Sequence, residues 1–274
     1  MKHREFTCKR GQIQLRGSMF CPAEGNHFPI AVVSHEFMAN RLFTLRYARL
    51  LALLGYAAFC FDFSGGCIVG GSQGKTTDMT VFTEVEDLKA VISYAEAQPY
   101  ADPNRLLLMG CSQGGLVTAL TAAELGNQVE AIVLFYPALS IPDDARKGSM
   151  IRAKFDPSNI PDTMRCGPMK PGRGYAESVM ELDPFSVIPA YHGDVLLVHG
   201  NADDLVDISY SRRAHDAYFA SAAAALEVGE IAAMPQIVFH EVDGAGHIFT
   251  RARHNQDAVK AVTAFLANRR IQST

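Results

Sequence analysis

Leu106-Leu107-Leu108-Met109-Gly110-Cys111-Ser112-Gln113-Gly114-Gly115-Leu116-Val117 is the stretch that decides how this chain is read. Its opening apolar run reads as a short buried strand, and Gly115–Leu125 continues as a helical segment. Glycines two residues either side of Ser112 let a strand turn sharply into a helix with the central side chain pushed out at the apex. The helix starting there points backbone N–H groups at the same spot and favours negative charge beside it. Ser112 is therefore the candidate nucleophile. An ordinary Gly-rich turn is the duller reading, and the placement between strand and helix speaks against it.

Outward from this turn, short apolar runs alternate with segments of helical period. Strands are expected at Ile30–Ser34, Ala57–Phe63, Arg105–Gly110, Ala131–Tyr136, Asp194–His199 and Gln236–Glu241. Helices are expected at Leu42–Leu54, Val81–Ala97, Gly115–Leu125, Ser209–Leu226 and Asp257–Ala267; in the second, Val81, Val85, Leu88, Ile92 and Ala95 share one face. This alternation gives an α/β class with a mostly parallel sheet covered on both faces. Ahead of it, alternating residues between Arg4 and Phe20, on either side of Arg10-Gly11, predict an antiparallel hairpin. Eight of the thirteen prolines lie between Pro137 and Pro189, in a stretch too long for a plain connection. With Met150, Ile151, Phe155, Met164, Met169, Tyr175 and Met180 it is apolar enough to fold over something, so residues 137–190 are read as a lid inserted into a single domain spanning 1–274.

A serine hydroxyl needs a base to take its proton, and the base needs a carboxylate to orient it. On such a sheet the chain order is serine, acid, histidine. Val195–Val198 runs into His199-Gly200-Asn201-Ala202-Asp203, and Ile237–His240 into Glu241-Val242-Asp243-Gly244-Ala245-Gly246-His247. Asp203 and His247 then reach the same sheet edge as Ser112. Asp204, Asp207 and Asp194 compete for the acid, with Asp204 second, and Asp203 has a duller reading as a helix N-cap. His240 and His254 compete for the base; strand alternation turns the first away and the second lies in a polar run. His199 reads as a structural histidine bonding the Asp203 loop. Oxyanion donors are expected from the backbone N–H of Gln113 and, in the loop Ser34–Met38, of Phe37.

The elbow Gly110–Gly115, the loop His35-Glu36-Phe37, the strand end Phe61-Asp62-Phe63, and Gly74-Lys75 with Asp78-Met79-Thr80-Val81 together resemble the α/β-hydrolase superfamily and, within it, the bacterial cinnamoyl (feruloyl) esterases. The resemblance covers nearly the whole chain and weakens in the insertion. It implies the α/β-hydrolase fold with an eight-stranded sheet, a serine esterase activity, and a substrate contact from an aspartate early in the insertion, carried here by Asp144; a solvated Asp143-Asp144 turn is the plain alternative. Two residues depart from the pattern. Cys111 stands in place of a common histidine, and Glu36 in place of glycine, so a position needing φ > 0 would strain the loop.

Other readings narrow the field. Twenty-five basic and 29 acidic residues are mixed along the chain, leaving no basic block for nucleic acid or an anionic membrane. The start is charged, no apolar run spans a bilayer, and six scattered cysteines without C-x-x-C read as reduced thiols, so a cytoplasmic protein is expected. Gly74-Lys75-Thr76 lacks the first P-loop glycine, Val69 standing there, and His35-Glu36 lacks the second zincin histidine, Ala39 standing there. No metal and no cofactor are expected. Glycine spacing puts Ser112 and not Cys111 at the apex, against a cysteine hydrolase. The expectation is a carboxylic ester hydrolase working through an acyl-enzyme on small to medium or hydroxycinnamoyl-type acyl groups, with a small-molecule ester as partner and homodimerisation left open. The same machinery serves thioesterases, acyltransferases and peptidases. A non-catalytic ligand-binding reading rests on Glu36 alone.

Overall fold

The computed structural model describes residues 1–151 and 153–272. In chain order the elements are β1 (Lys2–Arg10), β2 (Ile13–Cys21), β3 (Phe28–Ser34), α1 (Arg41–Leu53), β4 (Ala57–Phe61), α2 (Val81–Glu96), β5 (Ala101–Cys111), α3 (Gln113–Leu125) and β6 (Val129–Phe135). After them come α4 (Ile141–Arg146), β7 (Ser149–Met150), β8 (Ala153–Lys154), α5 (Arg173–Met180), α6 (Pro184–Val187), β9 (Asp194–Gly200), α7 (Ser209–Glu227), β10 (Ile237–Val242) and α8 (Ala252–Gln272). Eight strands form one sheet in the order β1-β2-β4-β3-β5-β6-β9-β10, antiparallel at β1-β2-β4 and parallel thereafter. This is the expected α/β architecture, and the expected hairpin turns at Gly11, whose φ of 56° suits glycine.

The inner strands read as continuous apolar runs because both of their faces are covered. Their side chains divide by alternation. Ile30, Val32, Leu106, Leu108, Ile132, Leu134, Val195 and Leu197 pack with Leu88 of α2, Leu116 of α3 and the insertion. Ala31, Val33, Leu107, Met109, Ala131, Val133, Leu196 and Val198 pack with Tyr47 and Leu51 of α1 and with Val262 and Phe265 of α8. Truncating one of these leucines to alanine costs about 2–5 kcal/mol. Helix starts follow capping chemistry: Asn40 accepts from Leu42 N–H, and Thr80 and Thr83 exchange hydrogen bonds in a capping box.

Most element ends differ from the sequence reading by one to five residues. β4 stops at Phe61, because the Asp62 carboxylate turns to Arg41 and Gly71. β5 extends back to Ala101 through its pairing with Phe28, and α8 starts five residues earlier than the apolar periodicity suggests. Between β6 and β9 the chain is held largely by turns, with isolated bridges Asp156↔Asn159, Thr163↔Gly172 and Cys166↔Met169. Met150, Met164, Met169, Tyr175 and Val179 there are buried in the same cluster as the sheet face beneath. Among the described residues no helix is long and apolar enough to cross a membrane.

Candidate active site

Ser112 sits at the junction of β5 and α3 with φ 52° and ψ −120°, a strained conformation that the surroundings enforce. Its N–H donates to Phe135 O at 2.9 Å, and its carbonyl accepts from Gly115, Leu116 and Ala138. The flanking glycines are required by space. A Cβ on Gly110 would lie 2.1 Å from Gly114 O, and one on Gly114 would lie 2.5 Å from His35 O.

The loops after β9 and β10 are tied together, so Asp203 and His247 arrive as a unit. Ala202 N–H donates to Ala245 O at 2.9 Å and Gly244 N–H to Asn201 Oδ1 at 2.7 Å; Gly200 is so close to Ala245 O that a Cβ would lie 2.2 Å from it. His247 Nδ1 donates to Asp203 Oδ2 at 2.7 Å, and Ser112 Oγ donates to His247 Nε2 at 2.8 Å. The tautomer follows from the partners: a carboxylate only accepts, so Nδ1 carries the proton and Nε2 is free to receive one. Asp203 also accepts from Leu205 N–H and Val206 N–H through Oδ1, and from His199 Nε2 at 3.0 Å through Oδ2. Burial pushes the Asp203 carboxyl up, but the hydrogen bonds from His199, His247 and Val206 N–H outweigh it and hold the group well below the usual carboxylate range.

Of the competing acids Asp204 lines the same cavity, but His247 Nδ1 bonds Asp203; the others lie elsewhere. His240 faces Asp257 at 3.2 Å, and Asp207 accepts from Ser209 N–H. His254, in its polar run, is buried and accepts from Arg253 Nε. His199 bonds Asp203 and Val206 O through Nε2, and Ser211 through Nδ1. Cys111 is buried, with its thiol pushed up by burial.

Phe37 and Gln113 line the cavity beside Ser112. Glu36 does not take the left-handed conformation that its glycine-replacing position raised. The positive φ falls one residue beyond Phe37, at Met38 (66°), while His35 Nδ1–H donates to Glu36 O at 2.7 Å and Tyr136 Oη donates to Glu36 Oε1 at 3.0 Å. The cavity, about 460 Å³, is lined by Ser112 and His247, by Ser140, Asp144, Met150, Ile151 and Tyr175 of the insertion, and by Leu205 and Ile248. Among the described residues its acidic lining is Glu36, Asp144 and Asp204. Asp144 accepts from Ser140 Oγ at 2.9 Å, and burial raises its carboxyl.

Folding gathers two groups that sequence spacing does not show. His35, Asp62 and Cys67 place their ligand atoms within 4.8 Å of one another. Each is already engaged: His35 Nε2 accepts from Phe63 N–H, and Asp62 accepts from Arg41 and Gly71. The second is Glu84, which accepts from Gln113 Nε2 at 2.8 Å inside the core. A sequence signal for it exists, since Glu84 falls on the buried stripe of α2 between Val81 and Leu88, where a carboxylate is out of place.

A sequence model of the prolyl oligopeptidase family matches residues 43–270. The chain belongs to this family. It has the α/β-hydrolase fold. The quorum-quenching protein AidA of Acinetobacter baumannii (strain MDR-ZJ06) is 32% identical over 107 residues, 38% of this chain and 34% of that protein. An uncharacterized 31.7 kDa Escherichia coli protein from the traX-finO intergenic region is 32% identical over 112 residues, 40% of this chain and 38% of that one. The match thus spans little more than a third of these relatives. Among solved structures, Est1E from Butyrivibrio proteoclasticus with ferulic acid bound superposes with a TM-score of 0.82 at 23% identity, over 96% of this chain and 99% of that one. The esterase domain of a Rhodothermus marinus protein gives 0.67 at 21% identity, over 97% and 98%. Structural likeness at these identities speaks to the fold, and at that level the resemblance to feruloyl esterases is met.

Proposed function

We propose that this family member hydrolyses carboxylic esters through an acyl-enzyme, with Ser112 as nucleophile, His247 as base and Asp203 as the acid that fixes its tautomer. The unbroken chain from Ser112 Oγ through His247 to Asp203, at 2.8 and 2.7 Å, carries the reading. Ser112 Oγ attacks the ester carbonyl as its proton passes to His247 Nε2, and the resulting imidazolium is stabilised by Asp203. The tetrahedral oxyanion is held by the N–H groups of Gln113 and Phe37, each donor of this kind contributing roughly 2.7–4 kcal/mol. Collapse expels the alcohol with the proton from His247, and water repeats the sequence to release the acid.

The cavity supports a small to medium acyl group covered by the insertion, which acts as the lid. Ferulic acid in the Est1E structure and the half-buried Asp144 at the insertion end support a hydroxycinnamoyl group whose phenol meets Asp144. The non-catalytic reading loses its motive, since Glu36 carries no left-handed strain. Membership of the prolyl oligopeptidase family keeps peptide-bond cleavage as the second reading.

Rates on p-nitrophenyl esters from acetyl upward, on methyl ferulate and on a peptidyl p-nitroanilide test both. Ester turnover reduced at least about 10³-fold in Ser112→Ala is the expected result. Equal rates in wild type and variant refute the triad, and faster turnover of the anilide favours the peptidase.

A further inference from the structure

Tyr175 stands on α5 of the insertion, yet its side chain ends inside the oxyanion half of the site. Its ring stacks on Phe37, centroids 5.7 Å apart at 26°, and its hydroxyl donates to Gln113 Oε1. The other end of the same amide is anchored from beneath, where Gln113 Nε2 donates to Glu84 Oε2 at 2.8 Å. All three polar residues are at most 1% exposed. The insertion is also seated here, because a Cβ on Gly172 would lie 2.2 Å from Thr77 O, so its backbone presses directly on the turn before α2.

One side chain therefore touches both residues whose N–H groups are the proposed donors. We propose that Tyr175 is a positioning residue, setting the spacing and direction of the Phe37 and Gln113 N–H groups through its ring and its hydroxyl, with Glu84 as the far anchor. The proposal rests on the oxyanion reading above. Gln113 follows a residue held in a strained conformation, and the direction of its N–H depends on where its Cα is kept; an amide gripped at both ends keeps it there. Burial pushes Glu84 up to about 8, so at neutral pH the anchor is uncharged and does not compete for the negative charge that develops in the reaction. Oxyanion donors act only when placed correctly beforehand, and small misplacements are costly in rate.

Tyr175→Phe keeps ring and volume and removes the hydroxyl. Expected are a fall in kcat of about ten-fold on a short-chain p-nitrophenyl ester, KM within about two-fold, and an equal loss of affinity for a trifluoromethyl ketone, which forms the tetrahedral adduct. Gln113→Asn, too short to reach both partners, is expected to give the same pattern, and covers the case in which Tyr175→Phe does not fold. Unchanged kcat and ketone affinity, or an effect on KM alone, overturn the proposal; so does a lost rate that tracks unfolding at the assay temperature. Ser112→Ala run in parallel separates the two claims. If it turns over like wild type the ester reading fails, whereas a dead Ser112→Ala beside a wild-type Tyr175→Phe sinks the positioning role alone.

Discussion

On one side of Ser112, Asp203 accepts from two histidines and two backbone N–H groups and is held well below the usual carboxylate range. On the other side, Glu84 receives a single amide hydrogen bond, lies near the negative charge of Asp87, and is pushed up by burial to about 8. Both carboxyls are buried, so burial alone does not decide the charge state; the number of donors offered does. In the proposed mechanism the acid side needs a permanent negative charge to stabilise the imidazolium. The oxyanion side works better without one, since a second negative charge would oppose the charge that forms on the substrate.

The largest test of this contrast removes the charge on the acid side. Asp203→Asn keeps the shape but replaces an obligate acceptor with a group that also donates, so His247 is free to take the wrong tautomer. A fall in kcat of about 10⁴-fold with the fold intact is expected, read by ester turnover together with circular dichroism. A loss smaller than ten-fold would mean that the carboxylate does not fix the imidazole.

The acid side was also the legible one. Asp203 and His247 follow apolar strands at short range, Gly200, Gly244 and Gly246 mark their loops, and even the structural role of His199 follows from its position before Asp203. The strands of the sheet declare themselves through buried runs for the same reason: their partners repeat the pattern. The side proposed to hold the oxyanion is assembled from α2, α3 and α5, whose pairing depends on contacts far along the chain. In the insertion the apolar content was visible, yet nothing in the spacing shows that Tyr175 meets Gln113, 62 residues away, while Met164 and Met169 turn into the core. The strain anticipated at Glu36 moved to Met38, because the φ of a loop residue is set by the bonds its neighbours find, here from His35 and Tyr136.

A second test addresses Glu84 through stability. Its ordinary value is 4.5 and its folded value about 8, so between these pH values the folded chain holds a proton that the unfolded chain has lost. Stability contributed by the neutral carboxyl is therefore present below pH 4.5, declines as pH rises through the window, and levels off above about 8. Glu84→Gln lacks this titration. Relative to wild type the variant should gain stability with rising pH, by at most about 1.4 kcal/mol per pH unit, in urea unfolding at pH 5, 6.5 and 8. Parallel pH profiles for the two proteins would show that Glu84 is already ionised in the fold and that the two sides do not differ as described.

Asp144 lies between the two extremes, half-buried, raised by burial and given one donor by Ser140, in the lining of the same cavity as Ser112. A carboxyl so poorly supplied gains from a donor on the substrate, and a phenolic hydroxyl is one. Asp144→Asn keeps an acceptor but loses the charge that strengthens such a bond, an effect of about 1 kcal/mol. The ratio of kcat/KM for methyl ferulate over a p-nitrophenyl acetate control should then fall about five-fold, while the control itself stays within about two-fold. An equal loss on both esters would place Asp144 in the support of α4 through Ser140 and leave the phenol without a partner there. Its insensitivity toward the small ester is the sharper half of the result, because only a residue that touches the distal end of the acyl group can spare the acetyl substrate while penalising the longer one.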